Sequence, residues 1–233
     1  MSIKKGNLPT GFHPWRGVFE TLRVKNGRAE FVEEHWKNLR TAAKALGLKV
    51  SGDLRETGQE LPRQSGRLRW VVETDQSYVM FHPESLTVKA TYSLALAPQR
   101  VGSENWDARY KTLSYLTHWQ ARQSVKADEA LLLNEYGEIA SGAMSNVFWV
   151  TDGKVYTPSD EAGCREGVVR AWVLGQLKVQ EGLFDLRDLE EADEVFLTNS
   201  WIGIRPVGQL GRHKIKTGPI TRKLQQRFAK AQA

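Results

Sequence analysis

A chain of 233 residues with 40% hydrophobic content is long enough to bury one large core or two modest ones. No stretch approaches the ~20 consecutive apolar residues of a membrane helix, and residues 1–6 open no signal-type apolar run, so the chain is expected to be cytoplasmic and without a membrane partner. The net charge of +6 comes from 33 lysines and arginines with no block of five or more, a pattern of solvated surface or of attraction for acidic small molecules rather than of nucleic-acid binding.

Taken in chain order, residues 17–24 alternate and are rich in β formers, Lys25-Asn26-Gly27-Arg28 supplies an Asn-Gly turn, and 29–32 resume the strand, which is a hairpin pattern. Residues 33–48 carry Trp36, Leu39, Ala43 and Leu46 at helical spacing and end at Gly47. Residues 67–74 and 77–82 read as paired strands around Asp75-Gln76, and 86–97 as another strand. The stretch from Pro98 to Asp107, with Gly102 and Ser103, is the best linker. It divides the chain into an N-terminal α/β domain (1–98), a linker (99–107) and a C-terminal α/β domain (108–233). Beyond it, 112–126 is helix-like, 129–133 and 139–150 are strands, and Asp152-Gly153 turns into a strand at 154–157. Residues 168–178 are helical, 195–198 form a strand, and 218–231 close the chain as a helix with Leu224 and Phe228 on one face. The fold class is mixed α/β with antiparallel strands.

The candidate chemistry centres on Lys111, in Tyr110-Lys111-Thr112-Leu113-Ser114-Tyr115-Leu116. A lysine between strand-forming segments can be desolvated, which lowers its pKa and leaves a neutral amine able to form a Schiff base with an aldehyde. Residues 162–174 read as a Gly-containing turn opening a helix. Such a helix start offers unpaired N–H groups and a partial positive charge to an anion, although an ordinary turn with a solvated Arg170 fits the same residues. Cys164, the single cysteine, excludes an intramolecular disulfide and a cysteine metal cluster, and it reads as a small packing residue. His13, His35, His82, His118 and His213 form no ligand pattern, so no metal is expected. His118, seven residues after Lys111, reads as solvated or capping.

Gly17-Val18-Phe19-Glu20-Thr21-Leu22-Arg23-Val24, the Lys111 segment, Asp128-Glu129-Ala130-Leu131-Leu132-Leu133, Ser145-Asn146-Val147-Phe148, Thr157-Pro158, Gly167-Val168-Val169-Arg170 and Ala192-Asp193-Glu194-Val195-Phe196 together resemble class IV aminotransferases. These are fold type IV enzymes dependent on pyridoxal 5′-phosphate (PLP), among them branched-chain and D-amino-acid aminotransferases and aminodeoxychorismate lyase. The resemblance runs from about Gly17 to Val207. It implies two α/β domains in a D-amino-acid-aminotransferase-like arrangement, PLP at their interface and a homodimer, with a first strand before Gly17 reduced or absent. It also implies that Lys111 holds PLP and shuttles the substrate Cα proton, that Tyr115 sits near the cofactor's phenolic oxygen, and that the backbone amides of Val168 and Val169 receive the phosphate. Ser200 and Trp201 fall where the family supplies a second phosphate contact.

Two positions depart from the family pattern. Where Ser141 stands the family usually has a glutamate that keeps the pyridine nitrogen protonated. A hydroxyl offers only a neutral hydrogen bond, at a loss of about 1–2 kcal/mol. Glu138, an odd offset away on a strand, points to the other face. Where Asn38 stands the family's phosphate-binding arginine is normally found, and Lys37 and Arg40 point about 100° and 200° away on a helix. Weaker PLP binding is therefore expected. Three functions stay open: amino transfer between an amino acid and a 2-oxo acid, lysis of aminodeoxychorismate to pyruvate and 4-aminobenzoate, and an altered or non-catalytic member of the family.

Overall fold

The computed structural model describes residues 16–58, 61–74, 76–104 and 106–232. The expectations about a reduced first strand, His13 and the Asp75 turn residue lie outside them. The alternating run after Gly17 forms β1 (Gly17–Lys25). Asn26 and Gly27, with φ of 51° and 80°, reverse it into β2 (Arg28–Ala29), as two positive φ values in succession do in a tight hairpin. The second strand is shorter than expected because the chain enters α1 (Val32–Ala45) at once, burying Trp36, Leu39, Ala42 and Ala43. β3 (Gly66–Glu73) and β4 (Gln76–Pro83) complete an antiparallel sheet of order β2-β1-β3-β4. α1 packs on this sheet, its Trp36 meeting Trp70 edge-on at 6.1 Å between ring centres.

The second sheet holds the rest. β5 (Tyr92–Val101) is followed by α2 (Trp106–Arg109), α3 (Leu116–Ser124), β6 (Glu129–Asn134), β7 (Ile139–Gly142), β8 (Asn146–Thr151) and β9 (Lys154–Pro158). α4 (Val168–Gln176), β10 (Val179–Gly182), α5 (Leu186–Glu190), β11 (Glu194–Asn199), β12 (Gly203–Leu210), β13 (His213–Lys214) and α6 (Pro219–Ala231) complete it. The strand order is β10-β9-β8-β11-β12-β5-β6-β7, with β13 on β12. Phe148 and Phe196 stack face to face in its core, 5.0 Å apart and both fully buried. Burial of a side chain of that size contributes roughly 1.5–3 kcal/mol.

Three differences from the sequence expectations have local causes. The expected linker begins inside β5, which runs through Pro98 and is hydrogen-bonded to β6 and β12 of the second sheet. The β5–β6 register shifts between Leu96 and Arg100, and such an irregularity tolerates a proline that has no N–H to give. The expected strand at 139–150 is two strands, because Gly142 N–H bonds back to Ser145 O at 2.8 Å and reverses the chain. The expected helix from 112 starts only at Leu116, since the preceding residues pair with β1 instead.

Candidate functional site

Residues 111–113 act as a short extra strand on the edge of β1. Phe19 N–H donates to Lys111 O (2.8 Å), Leu113 N–H donates to Gly17 O (2.9 Å), and Thr112 bridges Val18. Lys111 is thereby fixed where the two sheets meet. It lines a cavity of about 890 Å3 and a smaller one of about 200 Å3, and Glu20 and Arg165 line both with it. The Lys111 ammonium stands 4.9 Å from the ring centre of Phe19 and 5.7 Å from that of Tyr115. Burial lowers its pKa to about 7; Arg165 and Arg69 push in the same direction, and Glu20 opposes them. The sequence expectation of a desolvated, readily neutral amine therefore has a physical basis in its neighbours.

Glu20 lies in the row Val18, Leu22, Val24 on the core side of β1, 3% exposed. Burial by itself would raise its pKa. Arg165, the hydrogen bond and charge of His35, and Lys111 outweigh it and bring the value down to about 2. One carboxylate oxygen meets Arg165 Nη2 at 2.6 Å and the other meets His35 Nδ1 at 2.8 Å. The far ring nitrogen of His35 lies 3.0 Å from the Ser200 hydroxyl. The ionised Glu20 carboxylate can only accept, so His35 Nδ1 carries a proton toward it.

Of the predicted residues, Lys111, Tyr115, Ser141, Val168, Ser200 and Trp201 all line the larger cavity. Tyr115 donates its hydroxyl to Ala143 O (3.0 Å), and burial pushes its pKa up to about 12. Val168 begins α4 and Gly167 precedes it at the cavity wall. The first bond of the helix runs from Ala171 N–H to Gly167 O, so the amides of Val168 and Val169 have no partner within the helix. The Val169 side chain belongs to the core. Trp201 N–H is spent on Asn199 Oδ1 at 2.9 Å. Asn38 is not brought into the larger cavity. It lines the smaller one and donates to Glu166 O at 3.2 Å.

Several functional candidates carried no motif. Thr198 lines the larger cavity, is fully buried, and its hydroxyl has no hydrogen-bond partner among the described residues. His118 also faces this cavity, stacked on Tyr115 at 4.4 Å. Burial, then Lys111, lowers its pKa to about 4, so it is neutral here rather than solvated or capping. Glu129 is buried in the same wall. Its oxygens accept from the N–H groups of Ala130 and Met144 and from the Ser145 hydroxyl, and burial outweighs these bonds and raises its pKa. Cys164 is buried as a packing residue, touched by the Asn146 amide at 3.3 Å. The available signal was a polar residue in an apolar row: Glu20 among the core residues of β1, and His35 beside Trp36, Leu39 and Ala42 on α1.

A phosphorylated pyridine aldehyde fits these groups. It needs a neutral amine, an anion site and a polar partner for the ring. The cavity offers Lys111, the open start of α4 beside the unpartnered Thr198 hydroxyl, and the wall of Ser141 and Glu129. Close approach at Gly167 is built in, since a Cβ there would lie 2.2 Å from Asn146 Oδ1.

Residues 17–210 match the family model for amino-transferase class IV. The chain is 28% identical to the "Probable branched-chain-amino-acid aminotransferase" of Thermotoga maritima over 91% of this chain and 84% of that protein. It is also 28% identical to the aminodeoxychorismate lyase of Bacillus subtilis, over 84% and 78%. An aminotransferase from Brucella abortus, solved with PLP bound, shares the fold at a TM-score of 0.83 and 19% identity, covering 93% of this chain and 89% of that one.

Proposed function

The chain belongs to the class IV aminotransferases, a family of PLP-dependent enzymes, and on that premise we propose that it moves an amino group between an amino acid and a 2-oxo acid. The observation that carries this reading is the Lys111 amine, brought down to about 7 in a cavity that also holds a helix start. When bound, PLP supplies an aldehyde for the amino group and a conjugated ring that takes up the electron pair left at Cα.

Lys111 would hold the cofactor's aldehyde carbon and would remove and return the substrate's Cα proton; a base with a pKa near 7 suits both directions. The α4 amides of Val168 and Val169 and the Thr198 hydroxyl hold the phosphate. Tyr115, stacked on His118, would border the ring, and Ser141 would offer the ring nitrogen a neutral hydrogen bond. Arg69 lies over Phe19 at 4.9 Å with Arg67 beside it, and burial, then Arg67, lowers its pKa. Arg67 is paired with Glu84 at 2.9 Å, and we assign the substrate's carboxylate to Arg69 on the same cavity wall. Leu116, Trp119 and Met144 stand exposed at the same cavity, which supports a homodimer whose second subunit covers its mouth. The reading includes a cytoplasmic location; among the described residues no helix is long and apolar enough to cross a membrane.

A second reading, lysis of aminodeoxychorismate, is supported by the equal 28% identity to the Bacillus subtilis lyase, and Ser141 departs from the family's glutamate in both readings. A neutral partner weakens the electron sink that amino transfer uses twice per cycle. Single-turnover assays with a panel of L- and D-amino acids decide between them. Accumulation of pyridoxamine phosphate supports transfer, and pyruvate release from aminodeoxychorismate without the pyridoxamine form supports the lyase. Neither product at saturating PLP would refute both.

A further inference from the structure

The anion end of the larger cavity needs a cation, and position 38 does not supply one. Asn38 is neutral, lies in the smaller cavity, and spends its amide on Glu166 O at 3.2 Å. The next residue back along that loop is Arg165. Its side chain lines the smaller cavity together with Asn38, and the larger cavity together with Gly167, Val168, Thr198 and Ser200. Arg165 thus stands between the residue where a charge is missing and the groups that face an anion.

Resting on the PLP reading above, we propose that Arg165 is the cation that binds the cofactor's phosphate, in place of a charge at position 38. Three observations carry this. The loop is pinned: Asn146 Nδ2 donates to Arg165 O at 2.7 Å, and Asn38 holds the following carbonyl from α1. The guanidinium is oriented, with Nη2 on Glu20 Oε1 at 2.6 Å, which leaves Nη1 and Nε of a five-donor fork for an anion. The receiving end is built: α4 opens two residues after Glu166, and Thr198, whose strand partner Asn146 holds Arg165 O, has a fully buried hydroxyl with no hydrogen-bond partner among the described residues. Glu20 does not cancel the role, because its second oxygen is held by His35 and an ion-paired guanidinium still donates through its other N–H groups.

The test titrates apo-protein with PLP and, separately, with pyridoxal, which has the same aldehyde and ring but no phosphate. A phosphate anchor acts on the first ligand only. In Arg165→Gln the preference for PLP over pyridoxal should fall about tenfold or more, a ratio in which any change of the Lys111 amine, felt by both ligands alike, cancels. Arg165→Lys should keep most of the preference, and Asn38→Arg added to Arg165→Gln should restore it. Because Arg165→Gln leaves Glu20 buried without its cation, the double variant Glu20→Gln/Arg165→Gln removes both charges and should show the same loss with the fold intact. An unchanged preference in variants that remain folded, or equal weakening of both ligands, would overturn the proposal while leaving the PLP reading in place. A wild-type protein that binds neither ligand would overturn the two together.

Discussion

Lys111 separates this cavity from an ordinary cleft, and its titration can be followed. Only the neutral amine attacks an aldehyde, so the rate of covalent PLP capture should rise with pH to a midpoint near 7 and then level off. Glu20 is the neighbour that favours the ammonium form, so Glu20→Gln should move that midpoint lower. Stopped-flow absorbance across pH 5–10 reads both, and a midpoint near that of free lysine, about 10.4, would contradict the account. The same shift bears on stability. The folded pKa lies below the unfolded one, so between about pH 7 and 10.4 the unfolded chain binds more protons and apo-protein stability rises with pH. Lys111→Met should flatten that slope in urea melts taken at several pH values. At Ser141 a carboxylate would restore a charged partner for the ring nitrogen. Ser141→Glu should raise amino-transfer turnover by roughly tenfold, the equivalent of 1.4 kcal/mol in the transition state. A fall in turnover would count against the electron-sink argument and point to repulsion from Glu129, which lies in the same wall.

At the level of elements, the site depends on how closely residues 111–113 lie on β1. A Cβ at Gly17 would stand 2.4 Å from Leu113 Cδ1 and 2.9 Å from Val72 O. Gly17→Ala should therefore cost about 1–3 kcal/mol and loosen Lys111 from β1, lowering PLP occupancy as well as Tm. Gly175 in α4 is the control: it is exposed, and a Cβ there would meet nothing within 4 Å, so Gly175→Ala should stabilise by about 0.5–1 kcal/mol without changing PLP binding. Elements with strong period or punctuation were legible in the sequence, among them β1, α1, α4 and α6. Those defined by long-range pairing were not. Pro98 and Gly102 look like linker residues, and only the register shift against β6 shows how β5 absorbs the proline. β12 carries Pro206 and Gly208, which break a strand pattern, yet it is held between β11 and β5. Gly142 and Ser145 form a tight reversal inside an apolar run that reads as one strand. At the site, Lys111 and the start of α4 were legible through their motifs. Glu20, His35, Thr198 and Arg165 were not, because their roles come from partners distant in sequence.

On the scale of the whole molecule, the chain passes from the first sheet to the second between β4 and β5, at residues 84–91. The site draws on both sides of it, with Glu20, Arg67 and Arg69 from the first sheet and Arg165, Val168 and Thr198 from the second part of the chain. A ligand that binds across this junction favours the folded state by mass action, so PLP at about 100 times its Kd should stabilise the protein by about 2.7 kcal/mol, and pyridoxal at equal concentration by less. Calorimetry with each ligand checks this. The central claim is that the amine held between the sheets is the cofactor's point of attachment. Borohydride reduction of the PLP-loaded protein followed by peptide mapping tests it most directly. The account predicts a single phosphopyridoxyl group on Lys111, absent from Lys111→Met. The same label on another lysine, or none at saturating PLP, would contradict it.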